Sequence, residues 1–376
     1  MRENRDNREN NGNKRGFFGR LIVALLTILA VIGIVAMAIS VLSGYFDPAS
    51  FPWLSFFGLA FWEILAFNIV IFLLLLLMWS RKAWVALMAL LISVPGFFKS
   101  FSFGKAQDRG DLRVMSYNVQ IFKDLYDEDK NTFDVANGIA QMVRENQPDV
   151  LCVQEFNAFK PNTSRAECIK LFGALVDMPY HYYHQKAYFG GNVIFSKYPL
   201  SPVKDETDFS KERDYGAVAE VNAAEKGRFL VICTHLVSFR LTKEEVTMLS
   251  EPGNTKEEVQ EYGKSIISKL KSAFKRRSRQ VNRLLASIPH DGRPILLCGD
   301  FNDTPLSYTY QQIKKSGFND GFVVAGHGIG HTYAGKLPLL RIDYIWGDDE
   351  VQPMRFKRIR FKGSDHYPVM MDFNLR

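Results

Sequence analysis

The sequence predicts an α/β domain with mixed β-sheets that follows an apolar, membrane-spanning N-terminal segment. Three observations lead to this prediction. The first hundred residues are densely apolar, and after about residue 112 short apolar strands alternate with amphipathic helices and hairpin-like pairs. Polar residues recur where these strands end. The 376 residues leave room for one large domain and a smaller segment.

The charge and the cysteines exclude some function classes. A net charge of +7 favours anionic partners such as phosphates or lipid headgroups. Part of that charge lies in the N-terminal tail, so the later domain is only mildly basic, which argues against a dedicated nucleic-acid binder. Three of the four cysteines, Cys152, Cys233 and Cys298, lie in strand-like runs and are expected to be small buried hydrophobes. Without a C-x-x-C pair, a zinc or redox motif is not expected.

The N-terminal hundred residues divide into a tail and apolar runs. Residues 1–20 are polar and are expected to be disordered. The segment 21–98 then predicts about three transmembrane helices, at residues 21–42, 56–79 and 83–98, although the third is short enough to lie in the interface instead. A signal peptide is the rival interpretation of the first run, since Ala36-Met37-Ala38 fits a cleavage site. The apolar run continues past that site, which favours a retained helix.

Lysines and arginines predict the orientation. The tail carries six of them and is expected in the cytoplasm, whereas the first loop has none and the second has Arg81 and Lys82. Three crossings place everything after Lys99 outside the cytoplasm, in the periplasm if the protein is bacterial. If the third run does not cross, the orientation reverses.

A polar linker at residues 99–111 leads into the α/β domain, residues 112–376. Its first strand alternates apolar and polar residues from Leu112 to Val119. A helix with Asp134 as its expected N-cap follows, and Pro148 precedes a strand that ends at Glu155. Further strands are predicted at residues 192–196, 229–233, 296–300 and 341–346, with a long helix at about 255–287 before the third of these.

Polar residues recur at the ends of these strands. They are Asn118, Glu155, His235, Asp300 with Asn302, Asp343, and Asp365 with His366. Each has a structural explanation of its own, such as a turn cap or a solvated loop acid. Chemistry in α/β sheets collects at the carboxyl ends of strands, so their recurrence predicts a site. Asp343 lies between apolar neighbours, and a buried carboxylate needs a partner.

The ordered set of motifs resembles the endonuclease/exonuclease/phosphatase superfamily. The matching segments are Ser116-Tyr117-Asn118, Gln154-Glu155, Thr234-His235-Leu236, Gly299-Asp300-Phe301-Asn302, Arg341-Ile342-Asp343-Tyr344 and Ser364-Asp365-His366. Each motif is weak alone, but the order is specific. The resemblance covers about residues 112–376 and leaves the membrane segment untouched. It implies a four-layer sandwich of two mixed β-sheets flanked by helices.

The same resemblance implies hydrolysis of phosphoester bonds with Mg²⁺ or Mn²⁺ as the cofactor. Glu155 corresponds to the principal metal ligand, with Asn118 beside it and Asp365 at a second metal position. His366 corresponds to the base or water-orienting group, and Asp343 would fix its tautomer. Asp300 would orient the attacking water or protonate the leaving group.

In the family's arrangement, Asn302 and His235 would donate hydrogen bonds to phosphoryl oxygens. Hard divalent cations prefer carboxylate oxygens, so the residue chemistry agrees with the metal assignment independently. One metal or two remains open.

The substrate stays open between nucleic acid, phospholipid and inositol or sugar phosphate. Two basic stretches, residues 264–283 and 355–362, are interpreted either as solvated faces or as surfaces for a polyanion or an anionic bilayer. A non-catalytic binding or scaffold protein with the same fold is the alternative function. The expected partners are the lipid bilayer and the phosphoester substrate, and the sequence indicates no protein partner.

Overall fold

The computed structural model describes residues 3–104, 108–124, 131–183, 191–203, 216–250, 255–289, 291–337 and 339–376, with side chains from Gly16 onward. The helices are α1 Glu3–Leu42, α2 Leu54–Leu59, α3 Phe61–Leu77, α4 Ala83–Ser100, α5 Thr132–Asn146, α6 Arg165–Leu175, α7 Lys243–Ser250, α8 Lys256–Ala286, α9 Tyr308–Lys315 and α10 Gly321–Ala325.

The strands form two six-stranded mixed sheets and one short pair. They are β1 Phe101–Phe103, β2 Leu112–Asn118, β3 Val150–Phe156, β4 Tyr180–Tyr183, β5 Gly191–Ser196, β6 Leu200–Pro202, β7 Gly216–Asn222, β8 Arg228–His235, β9 Ile295–Asp300, β10 Asn319–Asp320, β11 His327–Ile329, β12 Asp343–Gly347, β13 Val351–Arg358 and β14 Val369–Leu375. The first sheet has the order β13-β14-β2-β3-β5-β4, and the second has the order β10-β12-β9-β8-β7-β6. The central pairs β2–β3 and β8–β9 are parallel.

Apolar side chains from both sheets meet in a shared core. Val114 and Cys152 of the first sheet pack with Val231, Cys233 and Cys298 of the second. On the outer faces, α5 and α6 cover the first sheet and α8 and α9 cover the second. These contacts confirm the predicted four-layer sandwich.

Local sequence explains where several helices begin. Helix α8 starts with a capping box, because the Thr255 side chain accepts from the Glu258 N–H and the Glu258 side chain accepts in return. The helix runs close to the predicted 255–287. For α5 the predicted N-cap is displaced: Asn131, not Asp134, accepts the Phe133 N–H at 2.8 Å. Asp134 instead lies in the first turn, where an acid also stabilises the helix dipole.

Helices α1, α3 and α4 pack against one another as a three-helix bundle. Leu26, Ile71 and Ala86 meet at one end, and Met37, Phe61 and Ala89 meet at the other. By length and composition alone, two stretches can cross a membrane, Gly16–Tyr45 and Ala83–Ser100. Helix α3 is shorter, with 17 residues.

The N-terminal segment differs from the prediction at two places. The tail predicted as disordered continues α1 back to Glu3, as helix propagation from a stable apolar helix allows. The span predicted at 56–79 is broken at Ala60 into α2 and α3. Helix α2 instead packs Phe56 and Leu59 against the α/β domain.

The predicted linker at 99–111 is partly ordered. Helix α4 ends at Ser100 and the chain continues without interruption into β1. Strand β1 pairs antiparallel with β11, with Phe101 opposite Ile329. Residues 105–107 lie outside the described part of the chain. The bundle is therefore joined to the α/β domain by a strand pair.

Candidate functional site

Strand register brings three of the predicted site residues side by side. Strand β9 lies between β8 and β12 in the second sheet. Asp300, the last residue of β9, is aligned with His235 on the parallel strand and with Asp343 on the antiparallel strand. The three side chains therefore emerge at one edge of the sheet, where each apolar strand gives way to a polar residue.

Asp343 and His366 form a buried carboxylate–imidazole pair. The His366 Nδ1 lies 2.9 Å and 3.1 Å from the two Asp343 carboxylate oxygens. The Thr332 hydroxyl accepts the Asp343 N–H at 3.0 Å, and the Ser364 hydroxyl accepts the His366 N–H at 3.2 Å. Asp343 and His366 are 2% and 5% exposed. The buried Asp343 was expected to need a partner, and that partner is His366. The opposite nitrogen, Nε2, faces Asp300.

Asp300 is held by amide donors. Its Oδ1 accepts the Asn302 N–H at 2.8 Å, and its Oδ2 accepts from the side-chain amides of Asn302 and Asn118, both at 3.0 Å. Asn302 has a φ of 52°, a left-handed conformation that Asn tolerates better than most residues. This turn directs the backbone and the side chain of Asn302 at the same carboxylate.

The first sheet contributes Asn118 and Glu155 from the ends of its central parallel strands. The Asn118 amide nitrogen donates to Glu155 Oε1 at 3.2 Å and also to Asp300, so this side chain links the two sheets. Its oxygen accepts the Gln120 N–H at 3.0 Å. Glu155 has a φ of 54°, and 31% of its side chain is exposed. It is the most open of the acidic side chains of the site.

His235 has a buried nitrogen without a hydrogen-bond partner among the described residues. Its Nε2 lies 3.6 Å from Glu155 Oε1 and 3.6 Å from Asp300 Oδ2. The Nε2 of His366 lies at the same distance, 3.6 Å, from Asp300 Oδ2. Buried polar atoms are usually satisfied, so the Nε2 of His235 is available to contact a further polar group at this edge.

The electrostatics favour a cation at the site. Glu155, Asp300, Asp343 and Asp365 face two histidines, and none of these acids forms an ion pair with a lysine or arginine within the described ranges. Burial raises the pKa of Asp300, and Asp343 raises it further. Burial also raises the pKa of Asp365, as do Glu155 and Asp300. Like charges held this close repel unless a proton or a metal neutralises them.

The same carboxylates also shift the pKa of His366. Burial alone lowers the pKa of an imidazole, but Asp343, Asp300 and Asp365 raise the pKa of His366 well above its ordinary value. The carboxylates outweigh burial because the imidazolium is the charge that they attract. The surrounding carboxylates therefore favour the protonated form of His366.

The donor set fits a hard divalent cation. Carboxylate oxygens at an acid-rich edge suit Mg²⁺ or Mn²⁺ better than softer metals. Ligand atoms of Asp300, Asp343 and His366 lie within 4.8 Å of one another, so this buried group is one place that can hold an ion. However, the Asp343–His366 hydrogen bond already occupies two of these groups. Glu155 and Asp365 are more open, with side chains 31% and 21% exposed.

The predicted site residues thus lie together, from both sheets. Asp365 is joined to the first-sheet side of the site by its N–H, which donates to Gln120 Oε1 at 3.1 Å. Asn118 acts as a donor here, and its predicted part as a metal ligand would require its amide oxygen to turn towards the ion.

Sequence reasoning missed Asp303 and Arg277. Asp303 is interpretable as a turn residue from sequence, but it is 8% exposed and accepts the Thr309 hydroxyl at 2.7 Å. Its partner Arg277 is fully buried, with Nε 3.2 Å from Asp303 Oδ2. The basic stretch 264–283 is therefore not uniformly a solvated face. An arginine on the apolar side of the α8 helix, near Phe274 and Val281, was the available signal.

Comparisons with known proteins agree with this architecture. The model of the Endonuclease/Exonuclease/phosphatase family matches residues 115–366, and a model described as a domain of unknown function matches residues 20–101. A search of curated proteins gave no match.

Solved structures with a similar fold include the human Nocturnin catalytic domain, which is 17% identical over 72% of this chain and 96% of that one, with a TM-score of 0.49. A mannosyl-6-phosphatase of Bacteroides thetaiotaomicron is 16% identical over 70% of this chain and 99% of that one, with a TM-score of 0.43. The family match spans well over half of the sequence, including every candidate site residue from Asn118 to His366. The chain belongs to the Endonuclease/Exonuclease/phosphatase family.

Proposed function

We propose that this chain is a membrane-anchored hydrolase of phosphoester bonds that depends on Mg²⁺ or Mn²⁺. The observation that supports the proposal best is the convergence of Asp343–His366, Asp300 and the unpaired His235 nitrogen at one edge. A buried His235 nitrogen 3.6 Å from both Glu155 and Asp300 supports substrate binding more than a scaffold function. Buried groups of this kind cost folding free energy and are characteristic of active sites.

His366 and Asp343 supply acid–base chemistry. Asp343 holds the imidazole through Nδ1, so Nε2 is the nitrogen presented to a water molecule or an ester oxygen. Asp300 lies beside it and is fixed by three amide hydrogen bonds. It orients the attacking water or returns a proton to the leaving oxygen.

His235 and Asn302 supply hydrogen bonds to the phosphoryl group. The His235 Nε2 is unsatisfied in the described structure, so it can donate to an oxygen on which negative charge builds. Asn302 is positioned by the backbone turn that follows β9, and its amide nitrogen now donates to the Leu236 carbonyl oxygen at 3.0 Å and to Asp300.

Glu155 and Asp365 are the proposed metal ligands, together with Asn118 after rotation of its amide. The metal would polarise the phosphoryl oxygen and stabilise charge on the leaving oxygen. Without it, Glu155, Asp300 and Asp365 leave the site with excess negative charge that opposes binding of a phosphate.

Membrane anchoring is supported by the outward faces of the bundle. Large apolar side chains on the outside of the bundle are exposed by 53% to 75%, among them Leu25, Ile32, Val70, Leu77 and Leu91. A water-soluble surface rarely exposes so many contiguous apolar groups. The proposed side of the α/β domain is extracytoplasmic. A reporter fused to the C-terminus tests it: signal from an extracytoplasmic reporter is expected, and a cytoplasmic signal would refute the three-crossing arrangement.

A parallel substrate assay tests the reaction class. The full chain in detergent micelles is given a soluble phosphodiester, DNA, RNA, a phospholipid and inositol or sugar phosphates, each with Mg²⁺ or Mn²⁺. We expect hydrolysis of at least one class. No hydrolysis of any of them, by a protein that melts cooperatively, would favour the scaffold function instead.

A further inference from the structure

The loop after β9 carries part of the candidate site and has no regular secondary structure. Residues 301–307 join Asp300 to helix α9, and residues 301–306 are all buried. Within this loop, Asn302 makes two hydrogen bonds to Asp300 and one to the Leu236 carbonyl oxygen. The orientation of Asp300 and Asn302 therefore depends on how the loop is held.

The distal part of this loop is buried in the helical bundle and not in the α/β domain. Leu306 is 2% exposed and packs with Met37 of α1, Phe61 and Leu65 of α3, and Ala89 of α4. All three helices of the bundle contribute to this contact. The bundle residues that surround Leu306 are called the Leu306 socket: Met37, Phe61, Leu65 and Ala89, together with Ser43, Gly44, Gly58 and Gly96.

The socket fits the backbone of the loop as well as the side chain. The Ser43 hydroxyl shares its proton between the Ser40 carbonyl oxygen at 2.8 Å and the Leu306 carbonyl oxygen at 3.2 Å. A Cβ on Gly44 would lie 2.7 Å from the carbonyl oxygens of both Leu306 and Ser307. A Cβ on Gly96 would lie 3.1 Å from Leu306 Cδ2. Small residues are thus needed at these positions because the loop approaches the helices at backbone distance.

The proximal part of the loop is held from the other side. Arg277 of α8 pairs with Asp303 and donates to the Val237 carbonyl oxygen at 3.1 Å. Its neighbour Phe274 packs edge-on against Phe56 of α2, with ring centroids 5.3 Å apart. Ser278, also on α8, donates to the Asp47 carboxylate. The loop is therefore held between the bundle and helix α8, which itself contacts the segment that joins α1 to α3.

We propose that the end of the helical bundle is part of the active site, because the Leu306 socket positions the loop that carries Asn302 and orients Asp300. Gly44 and Leu306 are positioning residues in this account and touch no reacting atom. The N-terminal segment would then act on turnover as well as on attachment. The expected effect on turnover rests on the proposed function, whereas the effect on how the loop after β9 is held does not.

The expected effect is on turnover and not on substrate binding. Catalytic groups act within narrow geometric limits, and a misplacement of about 1 Å can cost on the order of 10²-fold in rate. A methyl group on Gly44 would displace the Leu306 and Ser307 carbonyls by several tenths of an ångström, since 2.7 Å is shorter than normal contact.

The test compares two glycine variants of the full chain in detergent micelles. Gly44→Ala introduces the clash, and Gly19→Ala is the matched control, because a Cβ there meets nothing within 4 Å. With the soluble diester bis(4-nitrophenyl) phosphate and Mg²⁺, we expect Gly44→Ala to lower kcat at least about tenfold with KM within about threefold. Gly19→Ala should match the wild type. Equal kcat values for the two variants would overturn the proposal.

Leucine variants separate positioning from general destabilisation. Leu306→Ala empties the socket, Leu306→Met refills it, and Leu112→Ala empties a buried site at the opposite end of strand β2 from Asn118. We expect kcat to fall in Leu306→Ala, to recover in Leu306→Met and to be preserved in Leu112→Ala. If Leu306→Ala does not fold, Ser43→Ala removes the hydroxyl that is shared between the Ser40 and Leu306 carbonyl oxygens, and it should lower kcat about two- to fivefold.

Amide hydrogen exchange tests whether the socket holds the loop, and it does not depend on enzymatic activity. Exchange of the Asn302 and Phe301 amides, which donate to Asp300 and to the Ile342 carbonyl oxygen, should be at least about tenfold faster in Gly44→Ala than in Gly19→Ala. If the wild type hydrolyses nothing but the exchange rates differ as expected, the proposed function fails and the socket's control of the loop stands. Unchanged exchange would refute the socket in either case.

Discussion

At the scale of single residues, the site contains one buried pair that is hydrogen-bonded and one buried nitrogen that is not. The Nδ1 of His366 is hydrogen-bonded to Asp343 at 2.9 Å, whereas the Nε2 of His235 is buried without a hydrogen-bond partner among the described residues. A buried unsatisfied group costs roughly 1–3 kcal/mol, so the sequence retains His235 against stability. Such a group is explained more readily by a substrate contact than by folding.

His235→Ala should therefore separate activity from stability. We expect kcat to fall by about 10²- to 10³-fold, the cost typical of losing one donor to a charged transition state. The free energy of unfolding should stay the same or rise by up to about 3 kcal/mol, since alanine removes a buried nitrogen that makes no hydrogen bond. Steady-state kinetics and chemical denaturation measure the two effects. His181→Ala, at an edge strand distant from the site in the sheet order, is the control, and equal kcat values for both variants would contradict the role of His235.

At the scale of elements, helix α8 connects the candidate site to the bundle. Its arginine at position 277 is enclosed by Phe239 and Phe274 and pairs with Asp303. Burial lowers the pKa of Arg277, but the neighbouring Asp303 opposes this effect. The pair therefore behaves as a buried ion pair whose separation would leave one charge unpaired.

Arg277→Met should destabilise the α/β domain by about 3–5 kcal/mol, because Asp303 remains buried without its partner. Arg276→Met is the matched control: Arg276 is the adjacent, exposed residue, and surface changes usually stay within about 0.5 kcal/mol. Denaturant unfolding of both variants measures the difference. Adding Asp303→Asn to Arg277→Met should recover part of the loss. A single Arg277→Met variant as stable as the control would show that the pair is not a structural requirement.

The sequence predicted the helices and strands of the α/β domain better than the contacts between them. Period-two and helical patterns located the strands and α8, because burial of one face imposes those patterns locally. The sequence predicted Glu155, Asp300, Asp343 and His366 at strand ends; Glu155 and Asp300 lie at the ends of β3 and β9, but Asp343 begins β12 and His366 precedes β14. The register brings Asp300 beside His235 and Asp343. Asp303 could not be recognised, because its partner Arg277 comes from a distant helix.

The relation of the bundle to the domain was also beyond the sequence. The break at Ala60 and the strand β1 both arise from packing against the α/β domain, which no local pattern encodes. Likewise, Leu306 reads as an ordinary loop leucine until its neighbours on α1, α3 and α4 are known. Tertiary contacts override local propensity at these positions.

At the scale of the whole molecule, the bundle end, helix α8 and the loop after β9 form one connected structure beneath the candidate site. Phe56 and Asp47 of the N-terminal segment contact Phe274 and Ser278 of α8, and Leu306 enters the bundle core. If the bundle lies in a bilayer, the site is held at a fixed distance from the membrane surface. Substrates that reach that surface are then the ones that this chain meets.

The most direct test of the central claim measures hydrolysis of bis(4-nitrophenyl) phosphate by the full chain after treatment with EDTA and after addition of Mg²⁺ or Mn²⁺. The account predicts that EDTA abolishes turnover and that the metal restores it in the wild type. His366→Ala, tested in parallel, should remain lower by about 10²- to 10⁴-fold, the usual contribution of a general acid–base group. Turnover that resists EDTA, or near-normal turnover by a folded His366→Ala variant, would contradict the account.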